Sequence, residues 1–188
     1  MKKIILLGYM GCGKSTIANK LSKMINIPFV DLDEKIEEKA NLSINAIFEM
    51  HGEIYFRKLE HQVFVELLQS PEKIIIGLGG GTPCYANNHE RLKGESVVSI
   101  YLKASIETLF NRLSVNKSKR PLIADKSEGE MKEFIAMHLF ERSFYYNQAQ
   151  YKVIVDHKTI DQVVLDIVSI LAYISIVVSV FIKNYLYM

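Results

Sequence analysis

A chain of 188 residues suits one α/β domain with a core large enough to need no disulfide or metal staple. Hydrophobic residues make up 49% and charged residues 23%, proportions ordinary for a globular protein, and a formal net charge of +2 is too small to argue for a nucleic-acid partner. The two cysteines, Cys12 and Cys84, stand in no metal-ligand spacing and argue against a disulfide framework, which fits a reducing cytoplasm.

Along the chain, residues 3–7 form a short apolar run that ends at Gly8. Basic residues before an apolar run faintly suggest a signal peptide, but the run is too short for one and a glycine-rich loop follows at once. A strand covered on both faces is the better reading. A helix is predicted over residues 14–24, with Ile17, Leu21 and Met24 on one face. Residues 28–31 read as a second strand. A helix-prone stretch then runs from 33 to about 68, broken near Asn41 and at His51-Gly52. Further strands are predicted at 73–76, 97–102 and 151–155, and further helices at 106–113, 130–148 and from 159 onward. Residues 114–130 are polar and read as a mobile loop. Strands alternate with helices, which predicts a central parallel sheet flanked by helices.

Gly8-Tyr9-Met10-Gly11-Cys12-Gly13-Lys14-Ser15 satisfies G-x-x-x-x-G-K-[ST] in full. Glycines let the backbone turn its N–H groups onto phosphate oxygens, and the following helix adds its positive end. In such a loop the lysine, Lys14, reaches the β- and γ-phosphates and the Ser15 hydroxyl ligates Mg²⁺. The placement between a buried strand and a helix makes the motif a strong sign of nucleotide binding. It does not say what receives the phosphate. Cys12, close to Lys14 and the helix start, reads either as a reactive thiol that bound ATP would protect or as an inert small residue under the loop.

Asp31 and Asp33 bracket Leu32 at the end of the second strand, where ligands collect in such sheets. In extended chain an i, i+2 pair points both carboxylates to one side, one toward a metal and one toward a substrate hydroxyl; the plainer reading is a helix cap. Arg57 offers a planar fork suited to a carboxylate, with Glu53 and Glu60 at helical spacing to orient it. A solvated helix charge is its plainer reading. Gly79-Gly80-Gly81 closes a buried strand, a costly run that makes sense where a ligand must approach the main chain. Arg120 in the polar loop and Arg142 ahead of Tyr145 and Tyr146 add two guanidinium groups, and a mobile loop bearing arginine suits a kinase lid.

Taken together, the phosphate loop with Thr16, the Asp31-x-Asp33 pair, Gly52-Glu53-x-x-Phe56-Arg57-x-x-Glu60, Gly79-Gly80-Gly81, Arg120-Pro121-Leu122 and Arg142 resemble the shikimate kinase family, in order and spacing over about residues 2–170. The resemblance implies a P-loop kinase fold of the nucleoside monophosphate kinase type. It implies one domain over 1–170, with a substrate-binding segment at about 33–60 and a lid at about 114–126. The implied reaction is transfer of phosphate from ATP to the 3-hydroxyl of shikimate, giving shikimate 3-phosphate and ADP in chorismate biosynthesis. By the same resemblance Ser15 and Asp31 serve Mg²⁺, Gly11 to Thr16 hold the nucleotide, and Arg112 matches an arginine that stacks on adenine. Asp33 contacts the shikimate hydroxyls and acts as base. Arg57 and Arg142 bind its carboxylate, Gly79, Gly80 and Gly81 lie beside it, and Lys14 and Arg120 stabilise the transferring phosphoryl group. A cytoplasmic monomer is expected. The alternatives are a gluconate or nucleotide kinase, or a nucleotide-binding module without transfer activity. Retention of Lys14, Ser15, Asp31, Asp33 and Arg120 argues against the last.

Residues 167–182 carry no charge, and the family usually ends near residue 170. The run is shorter than the roughly 20 residues of a transmembrane helix, and residues 171–188 form an apolar C-terminal extension. It reads as a lengthened final helix or an extra packed element, with a membrane or partner contact as the alternative.

Overall fold

The computed structural model describes residues 2–115 and 123–186, with side chains described as far as residue 175. Five strands, β1 (Lys3–Leu7), β2 (Phe29–Asp31), β3 (Ile75–Gly77), β4 (Val97–Lys103) and β5 (Tyr151–Ile154), form one parallel sheet in the order β2-β3-β1-β4-β5. In β1, Ile4 pairs with Ile75 of β3 and with Val98 of β4. Every residue of β1 is buried, as an apolar run in a parallel sheet requires. Among the described residues six α-helices flank the sheet: α1 (Lys14–Ile25), α2 (Leu32–Ala40), α3 (Ile44–Gln69), α4 (Ile106–Ser114), α5 (Glu128–Tyr146) and α6 (Ile160–Leu186). This is the α/β architecture expected.

The strand order decides where a ligand can sit. From β1 the chain crosses to β2, beyond β3; from β3 it crosses to β4, on the other side of β1. The crossovers therefore diverge at the carboxyl ends of β1 and β3, which opens a crevice there. The phosphate loop follows β1, the triple glycine follows β3, and Asp31 ends β2.

Local chemistry places the helices. Asn41 closes α2 in the left-handed region at φ 52°, and Gly52 breaks α3 at φ 75°. Both breaks fall where expected, at residue types that tolerate positive φ. Ser43 caps α3, its side chain accepting from the Ala46 N–H, and Ser127 with Glu130 forms a reciprocal capping box on α5.

Two expectations shift, and one left open is narrowed. Met24 is 49% exposed, and Ile17, Ala18 and Leu21 make the inner face of α1, because the last turn of the helix reaches past the core. The extended Asp31-x-Asp33 segment is absent, since α2 begins at Leu32, whose buried side chain starts the next packed face. The C-terminal run continues α6 without a break through residue 186, so it is a lengthened final helix rather than a separate element. Val163, Val164 and Ile167 bury the first turns of α6, which packs on α1 and β5. Among the described residues no helix is long and apolar enough to cross a membrane.

Candidate active site

The phosphate loop is wound around its own lysine. Lys14 Nζ donates to the carbonyls of Gly8 (2.8 Å) and Tyr9 (3.1 Å), and the Cys12 N–H donates to the Tyr9 carbonyl (3.2 Å). Gly11 and Gly13 take φ of 82° and 101°, and a Cβ on Gly11 would lie 2.9 Å from the Leu113 side chain. Gly13 stands at the N-cap of α1 and offers no side chain to cap it. The first-turn N–H groups of the helix thus face the loop without a side-chain acceptor, the arrangement that receives an anion. From α4, Arg112 donates to the carbonyl of Cys12 (3.0 Å) and reaches that of Gly11 (3.4 Å), so it bridges the outside of the loop.

Cys12 is fully buried, which favours the inert reading over the reactive one. Its Sγ fills space against Gly8, where a Cβ would come within 3.0 Å of it. Cys84 is half-buried, and burial pushes its thiol up to about 11. Neither thiol is therefore expected to react quickly. A thiol reagent should titrate no cysteine within minutes in the native protein and two after unfolding. Rapid labelling of Cys12 that ATP suppresses would restore it as a chemical handle.

Asp31 does two jobs at the strand-to-helix junction. Its Oδ1 accepts the Asp33 N–H (3.0 Å), which is the capping role, and its Oδ2 accepts the Ser15 hydroxyl (3.1 Å). Ser15 and Asp31 thus present two hard oxygen donors side by side at the mouth of the phosphate loop, a donor set that fits Mg²⁺ held by one carboxylate plus phosphate oxygens. Asp33, one turn into the site, is pushed up to about 6. Burial is the main cause; the charges of Asp31 and Glu60 add to it, and Lys14 opposes it.

The triple glycine packs against three of the expected site residues in succession. A Cβ on Gly79 would lie 2.9 Å from Asp33 Oδ1, one on Gly80 would lie 3.5 Å from Arg142 Nη1, and one on Gly81 would lie 2.9 Å from Arg57 Nη2. Asp33, Arg142 and Arg57 therefore converge on one turn. Arg57 is oriented as its spacing predicted: Nη1 donates to Glu60 (2.9 Å) and Nε to Glu53 (3.3 Å). Glu60 is only 1% exposed and also accepts the Thr82 hydroxyl (2.6 Å). On α5, Arg142 lies over the Tyr9 ring at 5.5 Å, while the buried Tyr146 donates to the Gly80 carbonyl (2.6 Å) and pins α5 to the turn.

A cleft of about 660 Å³ runs from Asp33 and Gly79, past Lys14, Ser15 and Thr16, to Arg112. Its wall also includes Val155 and Lys158, from the segment between β5 and α6, and Ile160 at the start of α6. These residues were not among the expected site residues. They belong to no motif, and only the parallel arrangement of β4 and β5 brings them near the loop. Arg57, Gly81 and Arg142 lie against the glycine turn but outside the cleft wall. Arg120 and the central part of the expected lid, residues 116–122, lie outside the described residues.

The shikimate kinase family model matches residues 10–172. A shikimate kinase of Flavobacterium johnsoniae is 72% identical over 172 residues, which cover 92% of this chain and all of that protein. A shikimate kinase of Bacteroides thetaiotaomicron superposes with a TM-score of 0.84 at 33% identity, over 91% of this chain and 98% of that one. A shikimate kinase from Acinetobacter baumannii, solved in complex with shikimate, gives 0.81 at 28% identity, over 92% and 94%.

Proposed function

Because the chain belongs to the shikimate kinase family, we propose that its crevice carries the reaction through Asp33 as base, Lys14 on the phosphoryl group, and Arg57 with Arg142 on the substrate carboxylate. The protein is an ATP-dependent phosphotransferase that phosphorylates shikimate at its 3-hydroxyl and releases ADP. Its family sets aside the gluconate, nucleotide and non-catalytic alternatives.

The observation that carries the site assignment is the glycine turn, which gathers a base and two guanidinium groups beside a phosphate loop. A carboxyl group poised near 6 is largely ionised at neutral pH yet still a competent proton acceptor. Asp33 would take the proton of the attacking hydroxyl. Lys14, now bonded to loop carbonyls, would exchange those bonds for phosphate oxygens. Ser15 and Asp31 would hold Mg²⁺, which when bound with ATP neutralises charge on the β- and γ-phosphates. Arg112 with Val155 and Lys158 would border the adenine. Arg120 enters on the family resemblance alone, as does a lid over residues 114–126. The same reading takes residues 1–170 as one kinase domain, with 33–60 as its substrate segment and 171–188 as an extension outside the chemistry. It takes the enzyme as a monomer in the cytoplasm, a reducing compartment that suits the two unpaired thiols.

Arg57→Lys tests the substrate half of this assignment. An ammonium cannot form the two parallel hydrogen bonds of a guanidinium, so shikimate affinity should fall about tenfold or more while ATP affinity hardly changes. Equal shikimate titrations for the two proteins would remove Arg57 from the carboxylate site.

A further inference from the structure

Arg57 is held from more sides than its two glutamates. A Cβ on Gly81 would lie 2.9, 3.0 and 3.2 Å from Nη2, Nη1 and Cζ, so the guanidinium plane lies flat against that glycine. The Tyr85 ring sits close by, with Cζ 4.1 Å from its centroid. The Tyr85 hydroxyl donates to Glu53 Oε1 at 3.0 Å, the same oxygen that accepts Arg57 Nε. Glycine backbone, ring and two carboxylates therefore enclose the group. Glu53 and Glu60 take its Nε and Nη1.

The chain around Tyr85 is built to keep it there. Ala86 and Asn87 both take positive φ, 47° and 53°, a costly reversal for two consecutive non-glycine residues. The buried Asn88 that follows ties the loop down: its Nδ2 donates to the Thr82 carbonyl (2.9 Å), and its Oδ1 pairs with His61 Nδ1 (2.7 Å). Tyr85 itself remains 40% exposed, so apolar burial is a weak reason for its place. Its packed surface covers a cation instead, the contact that a ring quadrupole favours.

We propose that Tyr85 is a positioning residue for shikimate, acting through Arg57: it fixes the plane of the guanidinium so that the fork meets the substrate carboxylate without reorganising. The proposal rests on the assignment of Arg57 to that carboxylate. Such preorganisation lowers the entropy lost on binding and is expressed in affinity rather than in the chemical step.

The test measures kcat and the KM values for shikimate and ATP in Tyr85→Ala, Tyr85→Leu, Tyr85→Phe, Arg57→Ala and the double variant Tyr85→Ala/Arg57→Ala. Tyr85→Ala and Tyr85→Leu should each raise the shikimate KM about tenfold, the effect of losing a cation–π contact, with little change in the ATP KM. Tyr85→Phe keeps the ring and should raise it by about threefold or less. In the Arg57→Ala background, removing Tyr85 should add less than about twofold. An unchanged shikimate KM in Tyr85→Ala, an equal rise in the ATP KM, or full additivity with Arg57→Ala would overturn the role of Tyr85. An Arg57→Ala enzyme with unchanged shikimate KM would instead overturn the assignment of Arg57 itself.

Discussion

Asp33→Asn is expected to cut turnover by about 10²-fold or more, leave ATP affinity nearly intact, and stabilise the ligand-free protein at neutral pH. The activity loss follows from removing the proposed proton acceptor beside the phosphate loop. The stability gain follows from burial. The folded-state value of about 6 lies above the ordinary value of 3.8, so the folded protein binds this proton more tightly than the unfolded chain does. Well below pH 3.8 the group is protonated in both states and costs nothing. As pH rises from 3.8 to about 6 the unfolded chain gives up this proton while the folded protein still holds it, and stability is lost over that window. The full penalty, about 3 kcal/mol for a rise from 3.8 to about 6, is present at pH 7 and above. The amide carries no such charge. The variant should therefore melt several degrees higher than the parent at pH 8, with the gap closing near pH 4. Turnover within about threefold of the parent would remove Asp33 from the chemistry. Equal melting temperatures at pH 8 would contradict its burial among Asp31 and Glu60.

Gly79→Ala should be nearly as damaging, for a steric reason. Gly79 does not occupy the left-handed region, so its backbone accepts alanine without torsional strain. The added methyl, however, would stand 2.9 Å from Asp33 Oδ1, 3.0 Å from Thr82 Oγ1 and 3.4 Å from Glu60 Oε1. Room can be made only by moving Asp33 or by parting the Thr82–Glu60 bond that supports Arg57. A displacement of about 1 Å at the base is enough to lower kcat/KM roughly 10²-fold. The variant should still bind ATP, since the phosphate loop lies on β1. An alanine variant with parental kcat/KM would show that the turn does not position the base.

Much of this was legible in the residues because it lies in contiguous runs. The strands are short apolar segments, the phosphate loop works through its backbone and so needs glycines at set places, and Asn41 and Gly52 mark their own helix breaks. The Glu53-Arg57-Glu60 triad was legible because helical spacing brings its members together. The Asp31-Asp33 pair was read correctly for position but not for conformation: whether a three-residue strand continues or turns into a helix at Leu32 is decided by the buried surface that Leu32 and Ile36 meet. The three glycines were read as room for a ligand; at Gly79 and Gly81 the nearest groups are Asp33 and Arg57 themselves. Tyr85, Val155, Lys158 and Ile160 gave no local signal, because their positions beside the site come from the order of the sheet strands rather than from contiguous sequence.

The most direct measurement of the central claim is ADP release from ATP and Mg²⁺ by the purified protein, with shikimate present or absent and with gluconate or a nucleoside monophosphate in its place. Release should depend on shikimate, match one for one the phosphate found on its 3-hydroxyl, and disappear in Asp33→Asn. Release at the same rate without shikimate, or faster release with another acceptor, would contradict it.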